Sequence, residues 1–194
     1  TFNVGYKPSR HFKKVLHKVP MLSLSNAFSE EDLRNFEKKI LNYLDKSNNF
    51  EIEYSAEPKI DGISASLIYQ NGKFRCGLSR GDGKEGEDIS ENLKTIKDIP
   101  QTINHESFPR EIDIRGEVFI QNSDFSKFKE KFANPRNAAS GSLRQKNPEE
   151  TRKIPLKFIA YTYGFENGMK ITNQKDFLKN LSLWGFKTNP LNKI

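Results

Sequence analysis

An Asn71-Gly72 pair stands between two apolar runs, Ile63 to Tyr69 and Phe74 to Leu78, and constrains the chain more than any other feature. A two-residue Asn-Gly loop accepts the positive φ that a tight hairpin turn demands, so two antiparallel strands are predicted. The hairpin also brings its outer ends together. Glu57-Pro58-Lys59-Ile60-Asp61-Gly62 precedes the first strand, and Arg80-Gly81-Asp82-Gly83 follows the second. Lys59 and Arg80 are thereby expected at one mouth. A fixed cation and partial burial both disfavour an ammonium, which makes Lys59 a candidate amine nucleophile near neutral pH. Asp61 can bind a metal or take a proton. A Lys-x-Asp-Gly pattern alone also fits a plain hairpin with surface charges, so its meaning depends on its company.

The 194 residues suffice for one domain with a proper core. With 32 basic against 25 acidic residues the net charge is +7, which suggests an anionic partner such as nucleic acid. Cys76 is the only cysteine. That excludes an intramolecular disulfide and a cysteine zinc site within the chain, and it fits a reducing cytoplasm. No apolar run approaches the ~20 residues of a membrane span, and Thr1-Phe2-Asn3 opens no signal-peptide pattern. His11, His17 and His105 are too scattered to suggest a metal site or a catalytic pair, and none is assigned a role.

In chain order, residues 1–19 read as a basic, extended arm, followed by the short apolar segment Pro20-Met21-Leu22-Ser23-Leu24-Ser25. Ser29 is the predicted N-cap of a helix with Glu30, Glu31 and Asp32 in its first turn and an apolar stripe of Leu33, Phe36, Ile40 and Leu44. Ile52, Tyr54 and Ala56 alternate as a strand. Asp88 and Glu91 form a capping box for a short helix through Leu93 and Ile96. Glu111 to Ile120 alternates again: Ile112, Ile114, Gly116, Val118 and Ile120 face one way, Asp113, Arg115, Glu117 and Phe119 the other. By period alone the second set is a solvated ion-pair face; otherwise it is the floor of a cleft. Ser123 is read as the cap of a helix carrying Phe125, Phe128 and Phe132. In the small-residue run Phe132 to Gln145, Arg136, Arg144 and the following Lys146 meet no acid in sequence before Glu149, so an anion such as phosphate suits them. Leu156 to Phe165, apolar on both faces, reads as an internal strand, and Asn173 begins a last helix closed by Gly185.

Several of these stretches together resemble one family. Glu57 to Gly62 is similar to motif I of the covalent nucleotidyltransferases, which are the DNA ligases, RNA ligases and mRNA capping enzymes. The run Arg80 to Asp88 narrows the resemblance to NAD-dependent DNA ligases. Arg115-Gly116-Glu117-Val118-Phe119 matches their motif III, and Phe132 to Gln145 is closely similar to their signature. The resemblance implies an α+β, antiparallel-sheet nucleotidyltransferase fold of the DNA ligase and capping enzyme kind, incomplete at the C-terminus. Residues 1–194 are then one partial adenylation domain, with 1–19 its basic arm and 20–194 its core.

The same resemblance implies residue roles. Lys59 attacks the adenylyl phosphorus of NAD and releases nicotinamide mononucleotide; AMP then passes to the 5′ phosphate of a nick, and the 3′ hydroxyl displaces it. Asp61 is also catalytic. Ser23, Leu24, Glu57, Arg80, Glu117 and Tyr161 border the nucleotide, with Glu57 acting through its backbone and the Tyr161 ring stacking on adenine. Asp61 and Glu117 are candidate Mg²⁺ ligands, and Arg136 and Arg144 contact the phosphates of nicked double-stranded DNA.

The family's upstream domain for the nicotinamide mononucleotide half, its later motifs with two nucleotide-contacting lysines, and its oligonucleotide-binding, zinc-finger, helix-hairpin-helix and BRCT regions find no match here. A fragment that is weak or inactive by itself is therefore expected, and the family's zinc belongs to regions outside it. A cytoplasmic monomer serving DNA replication and repair, without a membrane, completes the expectation. Two other readings stand beside it: an ATP-dependent ligase or capping-type enzyme, against which the Asn134-Pro135-Arg136 to Leu143-Arg144-Gln145 run argues, and a DNA-binding fragment without catalysis.

Overall fold

The computed structural model describes residues 12–193. Both turn residues of the predicted hairpin have positive φ, 51° at Asn71 and 71° at Gly72, as a type I′ turn requires. The chain runs through β1 (Lys14–Leu16), α1 (Glu30–Tyr43), β2 (Ile63–Gln70), β3 (Lys73–Ser79), β4 (Glu85–Glu87), α2 (Ser90–Leu93), β5 (Glu111–Ile120), α3 (Asn122–Phe125), α4 (Pro135–Leu143), α5 (Pro148–Arg152), β6 (Leu156–Asn167) and α6 (Gln174–Leu183). Four strands make one antiparallel sheet in the order β3-β2-β5-β6, and β1 pairs with β4 in a separate two-stranded sheet. The architecture is thus mixed α and β with antiparallel sheets. Of the basic arm, residues 1–11 lie outside the described residues, and Lys14–Leu16 is the strand β1. No helix among the described residues is long and apolar enough to cross a membrane.

Alternation in β2 and β5 decides where the core sits. Leu67 and Tyr69 of β2 stand opposite Ile114 and Ile112 of β5, and Ile63 stands opposite Val118; all but the half-buried Ile63 are buried. Phe158 and Ala160 of β6 extend this face, which packs on Ile89, Leu93, Ile96 and the α6 residues Phe177, Leu178 and Leu181. Burial of this much apolar surface is the main favourable term in folding. Tyr69 anchors the aromatic part: its ring lies edge-on to Phe74, Phe108 and Phe186 at 5.6 to 5.8 Å. Its hydroxyl escapes an unsatisfied burial by donating to the Pro100 carbonyl at 2.6 Å.

Several predicted elements take another form. Of Ile52, Tyr54 and Ala56, Ala56 alone pairs, through two backbone hydrogen bonds with Lys193, because alternation provides faces but a strand also needs a neighbouring backbone. Ser29 does cap α1, in a reciprocal box with Asp32. Its predicted stripe is not buried, however: Leu33, Phe36 and Leu44 stay exposed and Leu41 turns inward instead, since periodicity marks a face suited to burial without saying what covers it.

Asp88 does not box with Glu91. Ile89 is the N-cap of α2, Asp88 accepts from the Ser90 amide at 3.1 Å, and Glu91 pairs with Lys94; a local turn of this kind competes with the cap. Gln121, not Ser123, opens α3, which tightens after one turn into a 3₁₀ segment at Ser126–Phe128 where the Ser126 hydroxyl donates to the Ser123 carbonyl. Phe125 is therefore buried, and Phe128 and Phe132 only in part. β6 is an edge strand rather than an internal one. Its free side meets non-strand backbone, where the Ala160 amide donates to the Lys187 carbonyl at 2.9 Å. The last helix follows its prediction, with Asn173 as cap and Gly185 at φ 88°.

A Cβ at Gly72 would overlap the Ile103 carbonyl oxygen, in a backbone conformation that already disfavours side chains. Gly72→Ala is expected to cost about 1–3 kcal/mol, read as a lower urea midpoint with an unchanged m-value.

Candidate functional site

The second face of the same two strands is polar, yet it is not solvated. Ser64 stands opposite Glu117, Ser66 opposite Arg115 and Ile68 opposite Asp113. Asp113, Arg115 and Glu117 are each less than a tenth exposed, so the reading as a solvated ion-pair face does not hold. Each buried group has a partner, as burial demands. Ser64 donates to Glu117 Oε2 at 2.9 Å, Ser66 donates to Asp113, and Arg115 donates to Asp113 Oδ2 through Nε (3.1 Å) and Nη2 (2.9 Å).

Gly62 explains how the loop holding Lys59 and Asp61 reaches this floor. Any Cβ there would overlap the Val118 carbonyl oxygen and stand 2.9 Å from the Glu117 Cγ. The glycine lets the loop lie directly on β5. Burial pushes the Glu117 carboxyl above its ordinary value, opposed by the Ser64 hydrogen bond, by the positive charges of Lys59 and Arg136, and by the Gly62 amide. Lys59, Arg136 and Glu117 therefore share one electrostatic neighbourhood. Tyr161 belongs to it too: burial first, and then the Glu117 charge, raise its phenol, with Ser64 and Arg80 acting the other way.

The remaining predicted residues frame this centre. Arg80 is engaged by the segment before α1, donating to the Met21 carbonyl at 3.4 Å and to Ser23 Oγ at 2.7 Å; that is where the structure puts the cation expected beside Lys59. Leu24 is exposed. Glu57 is tied by its carboxylate, which accepts from Ser55 and from Gln174 Nε2 at 2.7 Å, and the same Gln174 amide donates to the Tyr161 carbonyl. Asp61 is paired with Arg136 at 3.1 Å, and both are largely exposed. Beside Asp61 a cleft of about 680 Å³ is lined by Ile60, Phe119, Gln121, Asn122 and Pro135.

The two arginines do have acids near them in space, contrary to the sequence reading. Arg136 meets Asp61, 75 residues away, and Arg144 meets the buried Glu87 at 3.4 Å, 57 residues away. Sequence distance could not reveal either pair. Ser64 and Gln174 were missed as well. Ser64 was within reach, because it shares the parity of Ser66 on a strand whose other face is apolar; Gln174, the first residue of a helix, carries no such signal. His17, to which the sequence gives no role, is buried, its Nε2 donating to the Arg80 carbonyl at 3.2 Å. Burial pushes its pKa down.

Among the described residues no cluster of three or more metal-ligating side chains occurs. Asp61 and Glu117 nevertheless suit Mg²⁺ in type, since that ion keeps several waters and is bound through one or two carboxylates plus substrate phosphates. The raised Glu117 pKa has a stability consequence. Its contribution is fully present below the unfolded carboxyl value near 4.5 and is lost as pH rises through the folded value. Glu117→Gln should therefore be the more stable protein at pH 7, with its advantage in urea unfolding growing upward from about pH 4.5 and then levelling.

Residues 9–194 match the family model of the NAD-dependent DNA ligase adenylation domain. The DNA ligase of Pelagibacter ubique (strain HTCC1062) is 72% identical over 193 residues, which cover the whole chain and 29% of that protein. The DNA ligase of Parvibaculum lavamentivorans is 46% identical over 97% of the chain, and that of Geotalea uraniireducens 42% over 98%. The chain spans less than a third of the length of these curated relatives. A lysine loop seated on a buried carboxylate, with Arg136 paired to its Asp61, is thus found in a chain that belongs to the NAD-dependent DNA ligase adenylation domain family.

Proposed function

We propose that this chain is the nucleotidyl-transfer part of an enzyme that seals nicks in duplex DNA, with NAD as adenylate donor and Lys59 as nucleophile. The supporting observation is the seating of the Lys59-Ile60-Asp61-Gly62 loop on β5, which puts Lys59 in the field of Glu117 and Asp61 in contact with Arg136. In the first step the Lys59 amine, exposed on its loop, forms a P–N bond to the adenylyl phosphorus and gives up a proton to solvent while the P–O bond to nicotinamide mononucleotide breaks. An oxygen of the nick's 5′ phosphate then attacks the same phosphorus and breaks the P–N bond, returning Lys59 as the amine. The 3′ hydroxyl finally loses its proton and forms the phosphodiester bond at the 5′ phosphorus as AMP leaves. Such chemistry requires alignment and charge neutralisation more than covalent help from the protein. Arg80, Ser23, Leu24, Glu57 and Tyr161 border the nucleotide. Arg136 and Arg144 receive DNA phosphates; at Arg136 the phosphate competes with the exposed Asp61, whereas Arg144 keeps the buried Glu87. Asp61 or Glu117 would hold Mg²⁺, which would supply charge neutralisation during phosphoryl transfer.

A role in DNA replication and repair, in the cytoplasm and as a monomer, follows from this reading. The alternative of a DNA-binding segment without catalysis has no observation in its favour that the ligase reading lacks.

The test is intact-mass spectrometry after incubation with NAD and Mg²⁺. A chain extended on both sides to the length of its relatives should gain one AMP, Lys59→Ala should gain none, and ATP should not replace NAD. The absence of gain in the extended parent, or gain in Lys59→Ala, contradicts the assignment. The 194-residue chain alone is expected to gain little, because groups that hold the leaving group in line contribute much of such a rate. For the DNA phosphates, Arg136→Ala and Arg144→Ala should each weaken binding and lower the salt slope by about one unit for every phosphate left without its arginine. An unchanged slope in both would count against them.

A further inference from the structure

We propose that Arg115 is a positioning residue for the nucleotide: with Asp113 it clamps residues 19–21 across the polar face of the sheet so that Met21 and Ser23 meet Arg80. Arg115 lies on the side of β5 that carries Glu117, and its side chain is about nine-tenths buried. Its guanidinium divides its donors between two targets. Nε and Nη2 go to Asp113, while Nη1 donates to the Pro20 carbonyl at 3.1 Å and Nη2 also donates to the Val19 carbonyl. Asp113 is completed by the Ser66 hydroxyl. A planar fork directs donors from three separate nitrogens to a carboxylate and two carbonyls at once, whereas the donors of a lysine all radiate from one nitrogen.

The surroundings are shaped for this clamp. On β6, a Cβ at Gly164 would overlap both the Arg115 guanidinium and the Asp113 carboxylate, so β6 leaves the volume that the pair fills. A buried ion pair is weak evidence for stability, since desolvation offsets most of the attraction. What this pair does provide is register for the segment it grips. One residue beyond Pro20, the Met21 amide donates to the Gly83 carbonyl at 2.8 Å, and the Met21 carbonyl accepts from Arg80 Nε. Two residues further, Ser23 accepts from Arg80 Nη2. Upstream, the His17 amide donates to the Lys84 carbonyl and its ring to the Arg80 carbonyl. The segment is thus held between the 80–84 turn on one side and Arg115 on the other. Arg115 acts through that segment.

The inference rests on the proposed function, in which Ser23 and Arg80 border the nucleotide. The experiment measures AMP transfer from NAD in the extended protein, with Arg115→Lys, Ser23→Ala and the double variant. Arg115→Lys should raise KM for NAD about tenfold, the size expected for the removal of one charge-assisted hydrogen bond, while kcat stays within about twofold. The double variant should be no worse than Arg115→Lys, because both changes disrupt the same pairing with Arg80. Hydrogen exchange at the Met21 amide should quicken in Arg115→Lys while amides of β2 and β5 keep their protection. If Arg115→Lys does not fold, Ser66→Ala, which loosens Asp113 alone, should give a smaller rise in KM and the same exchange change. A folded Arg115→Lys with the parent's KM, additive effects in the double variant, or unchanged exchange at Met21 in the variant that folds overturns the proposal. An extended parent that takes no AMP contradicts the proposed function instead.

Discussion

The pairing of β2 with β5 is the constraint on which the rest depends. Because strand side chains alternate, a single register places Leu67 and Tyr69 over Ile114 and Ile112 on one face, and Ser64 and Ser66 over Glu117 and Arg115 on the other. A slip of one residue would exchange the two faces, putting carboxylates into the apolar core and leucines onto the floor of the site. The penalty for burying an unpaired charge makes such a slip costly. The core and the site therefore specify one another, since the polar face can be buried only where each member has found its partner.

Charged pairs in this molecule fall into two kinds that do different work. Asp61 and Arg136 are exposed, and such pairs contribute about 0–1 kcal/mol in general, so a phosphate or a cation can part them at little expense. Glu87 is almost fully buried, and parting a buried pair costs more than parting an exposed one. Arg144 is thus expected to keep Glu87 when it meets a phosphate. The Asp113–Arg115 pair is buried on both sides and lies under the segment that reaches Arg80, where rigidity rather than exchange is of use.

Much of this was legible in the residues. The Asn71-Gly72 turn, the ten residues of β5, the Ser29 and Asn173 caps and the Gly185 stop all follow from local chemistry, and local chemistry is what a sequence displays. Misses occurred where a neighbour decides the outcome. Ile52 to Ala56 had the alternation of a strand without a full partner, and the α1 stripe had the period of a buried face without a cover. The acids that meet Arg136 and Arg144 come from 75 and 57 residues away. His17 gave no signal at all, since an imidazole buried against a carbonyl looks in sequence like any other histidine. The glycine after Asp61 was visible as part of a pattern, yet its reason, close approach to Val118 and Glu117, lies in the fold.

The central claim is that the loop on β5 presents Lys59, and no other side chain, to the adenylyl phosphorus. Tandem mass spectrometry of the AMP-bearing peptide, taken from the extended protein after incubation with NAD, tests it most directly. The account predicts AMP on Lys59 through a phosphoramidate that acid cleaves and alkali spares. AMP on Asp61 or Glu117 as an acyl-adenylate, on a serine, or on any other lysine would contradict it.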